Sequence, residues 1–457
     1  MKNVLIIAYY YPPKGGAGVQ RTTKFANYLS KFGYNVNVLT VKENSEGLKD
    51  FSLKEDINKN ISVYRTDIKE INIMNNLLKI AKKKTNNSIN TLDENLSNNS
   101  SSLGAKKIKL NLLNSIKNYL KKMFLNLYNL MFIPDDKKGW IDFAVSKGRE
   151  IIIEKNIDII YTTSGPYSTH LIGYKLNKEF GTKWIADFRD PWASNPFVEY
   201  NFLVQKIFNK LEAKVVKNAN KIISVSKPII EDFIKRYPDE DINKFVTIPN
   251  GYDEEDFQGL NLELSEKNSK FVILYNGTLY GKRSPEKILF SIDNLINKNI
   301  IDKNKIQIRF VGEIGTSYIE LINYYKNKYK DVVIHRPYMP HKESLIELCK
   351  ANALLLIIDE GKGSEGIYTG KIFEYIRTGK TILGLVPNGV AKDLIEETST
   401  GYTALPSDQS AIENIILKAY NDFIYKTKSL TPNLEVIKKY SRENLTKLLI
   451  EEIKKIE

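Results

Sequence analysis

The stretch from Glu360 to Gly389 places the strongest constraint on what this chain can fold into. It follows an apolar run, Ala353 to Ile358, that predicts a buried strand. Several glycines then form a loop that a ligand can approach closely. A helix is predicted to begin at Thr369 or Gly370 and to end at Gly379, and a second buried strand to follow at 381–386. This order of elements is half of a doubly wound α/β domain.

The start of that helix predicts an anion site. The bare N–H groups of a helix N-terminus favour a negative group such as a phosphate. Lys371 lies in the first turn, where a cation is unfavourable for the helix dipole, so a negative ligand explains it better than helix stability does. Glu374 is one turn further on and can accept hydrogen bonds from a ribose diol. The alternative is a surface helix with a solvated lysine and glutamate.

The string Lys371-Ile-Phe-Glu374-Tyr375, followed by Gly379-Lys-Thr-Ile, resembles the donor-site signature of glycosyltransferase family four. The resemblance implies a retaining enzyme of the GT-B fold, in which the residue matching Glu374 binds the ribose of a nucleotide sugar. Thr369, Gly370 and Lys371, at the start of the same helix, are the candidates that bind the diphosphate. Many relatives carry an acidic residue eight positions before the glutamate; this chain has Gly366 there, and Glu365, one place away, is the candidate for binding the donor.

Composition limits the remaining possibilities. The chain has 457 residues, enough for two or three domains, and is 42% hydrophobic. It has one cysteine and three histidines, which excludes internal disulfides and argues against a dedicated zinc site. No apolar run is long enough to span a bilayer, and no signal peptide is expected. Lysine and arginine exceed the acids by 68 − 54 = 14, which favours anionic partners.

The chain opens with a βαβ pattern. A strand is predicted at Asn3 to Ala8, a helix at Val19 to Phe32 and a strand at Asn35 to Val41. The turn between the first two contains Gly15 and Gly16. By resemblance to the family, this turn approaches the donor diphosphate and the acceptor; the alternative is an ordinary tight turn.

A polar insertion follows. Residues 75–105 are repetitive and rich in Asn, Ser and Lys, which is typical of a mobile segment. Residues 105–131 contain six lysines and no acid, with apolar residues at helical spacing. Such a basic amphipathic helix can bind an anionic membrane surface, and the alternative is a helix that packs on its own domain.

A second cluster of motifs lies between residues 133 and 192. A strand at 157–163 and another at 184–187 each end in a polar loop, with a helix from Ser168 to Phe180 between them. We therefore expect Asp187, Arg189, Asp190 and His170 to converge at one edge of the sheet. The spaced strings PD…GW, TSGPYS-H and W-ADFRDPW in this region resemble a branch of family four that builds bacterial surface polysaccharides. By that resemblance, Asp187 or Asp190 approaches the sugar substrates. An internal pair between Arg189 and an aspartate is the alternative.

The second half repeats the α/β pattern after a polar linker at 254–268. Lys282 and Arg283 follow the strand Phe271 to Asn276, and by resemblance they hold the leaving diphosphate. Tyr338 lies in a loop that resembles the one that contacts the donor base. His335 and His341 are interpreted as structural. The alternative for Lys282 and Arg283 is a solvated basic turn.

Together these patterns predict an α/β protein with two Rossmann-like domains facing across a cleft (GT-B) and a basic helical insertion in the first. The expected domains are 1–255, 256–432 and a helix at 433–457 that crosses back to the first domain. The expected function is a retaining, hexosyl-type transfer from a nucleotide sugar, with UDP as the expected nucleotide, to a glycan or lipid-linked acceptor in cell-surface polysaccharide synthesis. Arg283, Lys371, Asp190 and Asp187 are the candidate catalytic residues.

No cofactor, metal or nucleic-acid partner is expected, and the predicted location is cytoplasmic, at the inner face of the membrane where 105–131 would bind. The alternatives are a catalytically inactive GT-B scaffold and a GT-B epimerase or phosphorylase.

Overall fold

The computed structural model describes residues 1–15, 17–43, 45, 49–69, 130–267, 269–281 and 283–457. These residues form two compact units. The first unit contains residues 1–19 and 33–220, and the second contains residues 20–32 and 221–457. The predicted segments 75–105 and 105–129 lie outside the described residues, as do Gly16 and Lys282.

The first of two sheets contains seven strands in the order β3-β2-β1-β4-β5-β6-β7. Neighbouring strands pair in parallel, with Val4 opposite both Val36 of β2 and Ile159 of β4. The central strand β1 is buried from Val4 onwards, as expected for a parallel sheet covered by helices on both faces. The strands are β1 (Asn3–Ile7), β2 (Asn35–Val41), β3 (Ser62–Thr66), β4 (Ile159–Thr163), β5 (Lys183–Phe188), β6 (Lys221–Ser224) and β7 (Phe245–Thr247).

Five described helices accompany this sheet in the chain. They are α1 (Ala17–Lys31), α2 (Ile141–Lys155), α3 (Ser168–Phe180), α4 (Phe202–Asn218) and α5 (Lys227–Arg236). Helix α3 has the predicted bounds and ends at Gly181, which adopts a left-handed conformation (φ 67°). Its Gly173 lies so close to the sheet that a Cβ there would overlap the side chains of Thr162 and Trp184.

The second sheet contains six strands in the order β10-β9-β8-β11-β12-β13. Its strands are β8 (Phe271–Asn276), β9 (Ile306–Val311), β10 (Val333–Arg336), β11 (Ala353–Ile357), β12 (Thr381–Leu385) and β13 (Gly401–Ala404). All described pairs in it are parallel. The two parallel sheets with interleaved helices confirm the predicted pair of Rossmann-like domains.

The helices that follow β8 in the chain are α6 (Glu286–Asn297), α7 (Thr316–Lys328), α8 (His341–Lys350), α9 (Gly370–Thr378), α10 (Val390–Glu397), α11 (Gln409–Tyr425), α12 (Leu434–Lys439) and α13 (Arg442–Lys455). Helix α9 is the one predicted from the Gly-rich stretch, and Gly379 ends it with φ 66°.

The prediction of a single helix at 433–457 is wrong, because the helix is interrupted at Tyr440 and Ser441. Ser441 is extended, and its hydroxyl accepts a hydrogen bond from the N–H of Asn444, which starts the separate helix α13. The apolar stripe is correct for Leu445, Leu449 and Ile453, which are buried.

The boundaries 1–255, 256–432 and 433–457 remain a prediction. Within the second unit, α13 contacts two residues that the sequence assigned to the first domain. Glu452 forms a 2.6 Å ion pair with Lys221, and Lys447 lies 5.6 Å from the ring centre of Phe32. The predicted linker is anchored, since Phe257 is buried.

A larger side chain at Gly173 tests the close packing of α3 on the first sheet. We expect Gly173→Leu to lower the free energy of unfolding by about 1–3 kcal/mol, because the added atoms must displace Thr162 and Trp184. Urea denaturation followed by circular dichroism measures the change. Lys178→Ala, on the exposed face of the same helix, is the control and should stay close to the unsubstituted protein. Equal stability of both variants would contradict the packing argument.

Candidate functional site

The loop between β11 and α9 leaves polar groups without partners at the start of the helix. Thr369 precedes the helix in an extended conformation, and its side chain makes no capping hydrogen bond. Its Oγ1 is buried and has no hydrogen-bond partner among the described residues. The first N–H groups of α9, at Gly370 and Lys371, have no intrahelical acceptor. A bound anion would satisfy these donors.

Lys371 is held against the end of β8. Its ammonium lies 4.3 Å from the ring centre of Tyr275 and 3.3 Å from the Tyr275 hydroxyl. A Cβ at Gly277 would overlap the end of the lysine side chain, so this position requires glycine, which also has φ 123°. Among the described residues Lys371 forms no ion pair with a carboxylate.

Arg283 lies close enough to Lys371 to affect its charge. Burial is the main cause of a lowered pKa at Lys371, and the positive charge of Arg283 lowers it further. The negative charge of Glu374 partly offsets these two effects, and the resulting pKa is about 7. The Arg283 guanidinium stacks 4.9 Å from the ring centre of Tyr280. Two cations beside a bare helix N-terminus form a site for a doubly charged anion such as a diphosphate.

Glu374 is held by a histidine that the sequence interpretation treated as structural. His341 Nε2 lies 2.9 Å from Glu374 Oε1, at the start of α8. Burial lowers the pKa of His341, but the hydrogen bond and the charge of Glu374 outweigh it and raise the pKa to about 9. His341 therefore carries a positive charge at neutral pH and fixes one oxygen of the carboxylate, which leaves the other oxygen for a ligand hydroxyl.

A network of buried charges lies behind this pair. Lys24 of α1 forms ion pairs with Asp253 (2.6 Å) and Asp256 (3.0 Å), and the hydroxyl of Tyr28 donates to Asp253 (2.6 Å). The charges of Asp256 and Lys24 both act on His341. The sequence interpretation missed this network; the only signal was the acidic run 253–256 directly after a turn.

Arg442, at the start of α13, is a second buried cation that the sequence interpretation missed. Burial and the positive charge of Arg21 lower the pKa of Arg442 to about 10. The negative charges of Asp253, Asp256 and Glu374 act in the opposite direction and raise it. Its Nη1 has no hydrogen-bond partner among the described residues. Arg442 thus adds positive potential near Glu374 and the buried network.

Tyr338 and Glu365 lie on exposed parts of loops in the second unit. Tyr338 is 62% exposed, so its ring is available for stacking on a ligand. Glu365 is exposed on a short 3-10 turn, Ser364–Gly366, and its backbone packs against Gly389. Gly366, which stands where relatives carry an acid, lies near Ser226 and Pro228. The predicted roles of Tyr338 and Glu365 remain predictions.

The first unit separates the cluster predicted at 170–190 into two parts. Asp187 is fully buried and accepts a 2.5 Å hydrogen bond from the Tyr161 hydroxyl. His170 packs on Phe188, its Nδ1 lies 2.8 Å from the Thr162 hydroxyl, and burial lowers its pKa to about 3. A neutral, buried histidine of this kind supports the packing of α3.

Arg189 and Asp190 form the other part. Arg189 lies against Gly18, at the start of α1, and its guanidinium is 3.8 Å from the Asp190 carboxylate. The Asp190 side chain is 65% exposed. Gly15, in the turn before α1, is partly exposed. The catalytic roles of Asp187 and Asp190 remain predictions.

Within the described ranges, no group of three or more His, Cys, Asp or Glu side chains could hold a metal ion. In the same ranges, no helix combines the length and apolarity needed to cross a membrane. Cys349 is a free, buried thiol in α8.

Comparison with known proteins relates one part of the chain to a family. Residues 124–256 match the model of Glycosyltransferase Family 4. No protein of curated function matches the sequence of this chain.

Solved structures show that the chain has the GT-B fold. HepE from Anabaena, in complex with UDP, superposes with a TM-score of 0.62 at 11% identity, over 100% of both chains. A glycosyltransferase from Rickettsia africae gives 0.61 at 16% identity over 100% of this chain and 98% of its own. WaaG, a glycosyltransferase involved in lipopolysaccharide biosynthesis, gives 0.55 at 14% identity over 98% of both. At these identities the likeness establishes the fold.

The pKa of Lys371 can be measured through its reactivity. An unprotonated lysine reacts with acetic anhydride, so we expect Lys371 to reach half of its maximal labelling near pH 7. Arg283→Gln removes a neighbouring positive charge and should shift this point to higher pH. Mass spectrometry of the labelled peptide gives the curve, with exposed Lys362 as the internal reference. Arg377→Gln, at the other end of α9, is the matched control, and an identical shift in both variants would contradict the proximity of Arg283.

The pair of His341 and Glu374 makes stability depend on pH. The folded pKa of His341 is raised from about 6.5 to about 9, so its contribution is complete below pH 6.5 and is lost as pH rises through 9. We expect Glu374→Gln to lower the free energy of unfolding by about 1–2 kcal/mol at pH 6, a size limited by the partial exposure of the pair. At pH 10 the loss should be much smaller, because His341 is then neutral.

Denaturation of both proteins between pH 6 and pH 10 measures this difference. Glu254→Gln, which breaks the exposed pair with Arg377, is the control and has no histidine to titrate. A difference between Glu374→Gln and the unsubstituted protein that stays constant across this pH range would contradict the assignment.

Proposed function

We propose that this protein is a glycosyltransferase that moves a sugar from a UDP-sugar to a glycan or lipid-linked acceptor, with retention of configuration at the sugar. The observation that carries the proposal is the placement of Lys371 and Arg283, two cations without a carboxylate partner among the described residues, beside the bare N-terminus of α9. HepE, a protein of the same fold, binds UDP, UDP with glucose, and UDP-glucose. A nucleotide sugar supplies the two negative charges that this site lacks.

The chemistry follows from charge. Breaking the bond between sugar and phosphate leaves negative charge on the diphosphate. Lys371, Arg283 and the N–H groups of Gly370 and Lys371 are positioned to stabilise that charge, which is commonly the largest catalytic contribution. Lys371 gains its proton as the anion binds, and Arg283 adds its positive charge beside it. The acceptor hydroxyl then attacks the same face of the sugar and gives its proton to the departing diphosphate.

Glu374 binds and orients the donor in this proposal. His341 holds one carboxylate oxygen, and the other accepts hydrogen bonds from the ribose hydroxyls. Tyr338 stacks on the base, and the diphosphate contacts of Lys282 and of the Gly15–Gly16 turn remain predictions from the sequence. Asp187 or Asp190 lies on the acceptor side. We propose that no metal or other cofactor takes part, because the lysine and arginine neutralise the leaving group.

The proposed setting is the cytoplasmic face of a bacterial membrane, where the enzyme acts in cell-surface polysaccharide synthesis. Two considerations support it. WaaG, which shares the fold, is involved in lipopolysaccharide biosynthesis. Residues 105–131 combine six lysines with apolar residues at helical spacing, which suits a membrane carrying a lipid-linked acceptor.

Substitutions at the donor site test the function. With UDP-sugars and membrane lipid extract as acceptor, we expect Lys371→Met and Arg283→Gln each to lower kcat by about 10²–10³-fold, through loss of leaving-group stabilisation. Glu374→Ala should weaken UDP binding measured by calorimetry. Turnover should persist in EDTA.

Lys392→Gln, at a partly exposed lysine of α10, is the matched control and should leave turnover unchanged. Unchanged turnover in Lys371→Met, or unchanged UDP affinity in Glu374→Ala, would refute the site. UDP binding by the unsubstituted protein without hydrolysis or transfer of any UDP-sugar would favour an inactive scaffold.

A further inference from the structure

Five large apolar side chains are exposed together at the start of α4, in the first unit. Phe197 (61% exposed) and Val198 (42%) lie in the loop before the helix. Phe202 (78%), Leu203 (59%) and Ile207 (37%) occupy its first two turns. Proteins in water rarely leave so many large apolar groups exposed side by side unless something covers them. We call these five residues, with the exposed lysines of α4, the α4 surface.

The rest of the exposed face of α4 is basic. The opposite face is buried through Val204, Phe208, Glu212, Val215 and Val216. On the exposed face, Lys210, Lys214 and Lys217 continue the line that Leu203 and Ile207 begin, since the spacing of 4, 3, 4 and 3 residues follows the turns of a helix. Lys206 flanks this line. Every exposed charged residue of α4 is a lysine, because its one acid, Glu212, is buried and accepts a hydrogen bond from the N–H of Ala193.

This charge pattern decides between possible occupants. A second copy placed symmetrically would set the same lysines against each other, because a two-fold interface uses the same patch on both chains. Residues 105–131 carry six lysines and no acid, so they do not complement the surface either. A bilayer with anionic headgroups complements both parts, since its acyl boundary takes the apolar side chains and its phosphates take the lysines. Glu199, in the preceding loop, is the one exposed acid among residues 197–217.

We propose that the α4 surface binds an anionic membrane, with α4 lying in the plane of the interface. Phe202, Leu203 and Ile207 insert at the boundary of the acyl chains, and the lysines extend along the surface to the headgroups. This contact is separate from the donor site and from residues 105–131, and it does not depend on which sugar or acceptor the enzyme uses.

Vesicle binding by the full chain tests the proposal. The unsubstituted protein should bind vesicles of phosphatidylglycerol and phosphatidylethanolamine better than vesicles of phosphatidylcholine, and the binding should weaken with salt. The triple variant Phe202→Gln, Leu203→Gln, Ile207→Gln should lose about tenfold or more in partitioning, because it removes the inserted apolar area. Lys206→Gln with Lys210→Gln should lose roughly tenfold, mainly at low salt.

A matched triple variant controls for the loss of exposed apolar side chains in general. Phe290→Gln, Ile319→Gln and Leu434→Gln change side chains that are 45%, 43% and 71% exposed in the second unit. This variant should bind vesicles as the unsubstituted protein does. Both triple variants retain residues 105–131, so deletion of that segment tests its own predicted contact separately. Thermal melting checks that all variants remain folded.

A tryptophan reporter locates the contact directly. The three native tryptophans, Trp140, Trp184 and Trp192, are at most 1% exposed and so are shielded from lipid. In Phe202→Trp the added fluorescence should shift to the blue on vesicle binding and be quenched by brominated lipid, whereas Phe290→Trp should show neither change.

Three results would overturn the proposal. They are no binding of the unsubstituted protein to anionic vesicles, equal binding by the α4 triple variant, and no quenching in Phe202→Trp. Self-association of the unsubstituted protein that the α4 triple variant loses, without vesicle binding, would instead make this surface an interface between copies.

Discussion

The burial of Lys371 without a carboxylate partner among the described residues is the constraint on which the candidate site depends. Its side chain crosses the end of β8, where Gly277 leaves room for it and the ring of Tyr275 contacts it. Removing an ammonium from water is unfavourable, and the charge of Arg283 makes it more so, which is why its pKa falls to about 7. Such an arrangement is stable because the lysine can lose its proton, and it becomes strongly favourable once an anion enters. The unsatisfied Thr369 hydroxyl and the start of α9 add donors at the same place.

The charges around Glu374 form a layered arrangement. His341 contacts it directly, while Asp256 and Lys24 set the potential at His341. Through these contacts α1, the turn at 253–257 and α8 all influence one carboxylate. Arg442 adds a further buried cation from the start of α13. Arg442 lies at a helix start because the helical structure is interrupted at Ser441, directly before it.

The first unit has polar residues at the edge of its sheet and an exposed apolar and basic surface on α4. Asp187 and His170 are buried by the packing of α3 on β4 and β5, whereas Asp190 remains exposed. Helix α4 combines a buried apolar face with an outer face of apolar and basic residues. One face of such a helix packs on the protein core. The lysines on its other face favour contact with the anionic headgroups of a membrane.

The sequence alone determined the elements around α9, and it also predicted an anion site there. Parallel buried strands are continuous apolar runs, and glycines at helix ends have conformational requirements that other residues rarely meet, so β11, α9, Gly379 and β12 were predictable to within a residue or two. Lys371 and Glu374 were predictable because both lie within one short helix. Only the tertiary structure decided that His341 holds Glu374, that Gly277 and Tyr275 receive Lys371, and that Lys24 and Arg442 belong to the same network. These residues lie far apart along the chain, and the pattern around each is that of an ordinary loop or helix, so their electrostatic role exists only once folding has brought them together in water-poor surroundings.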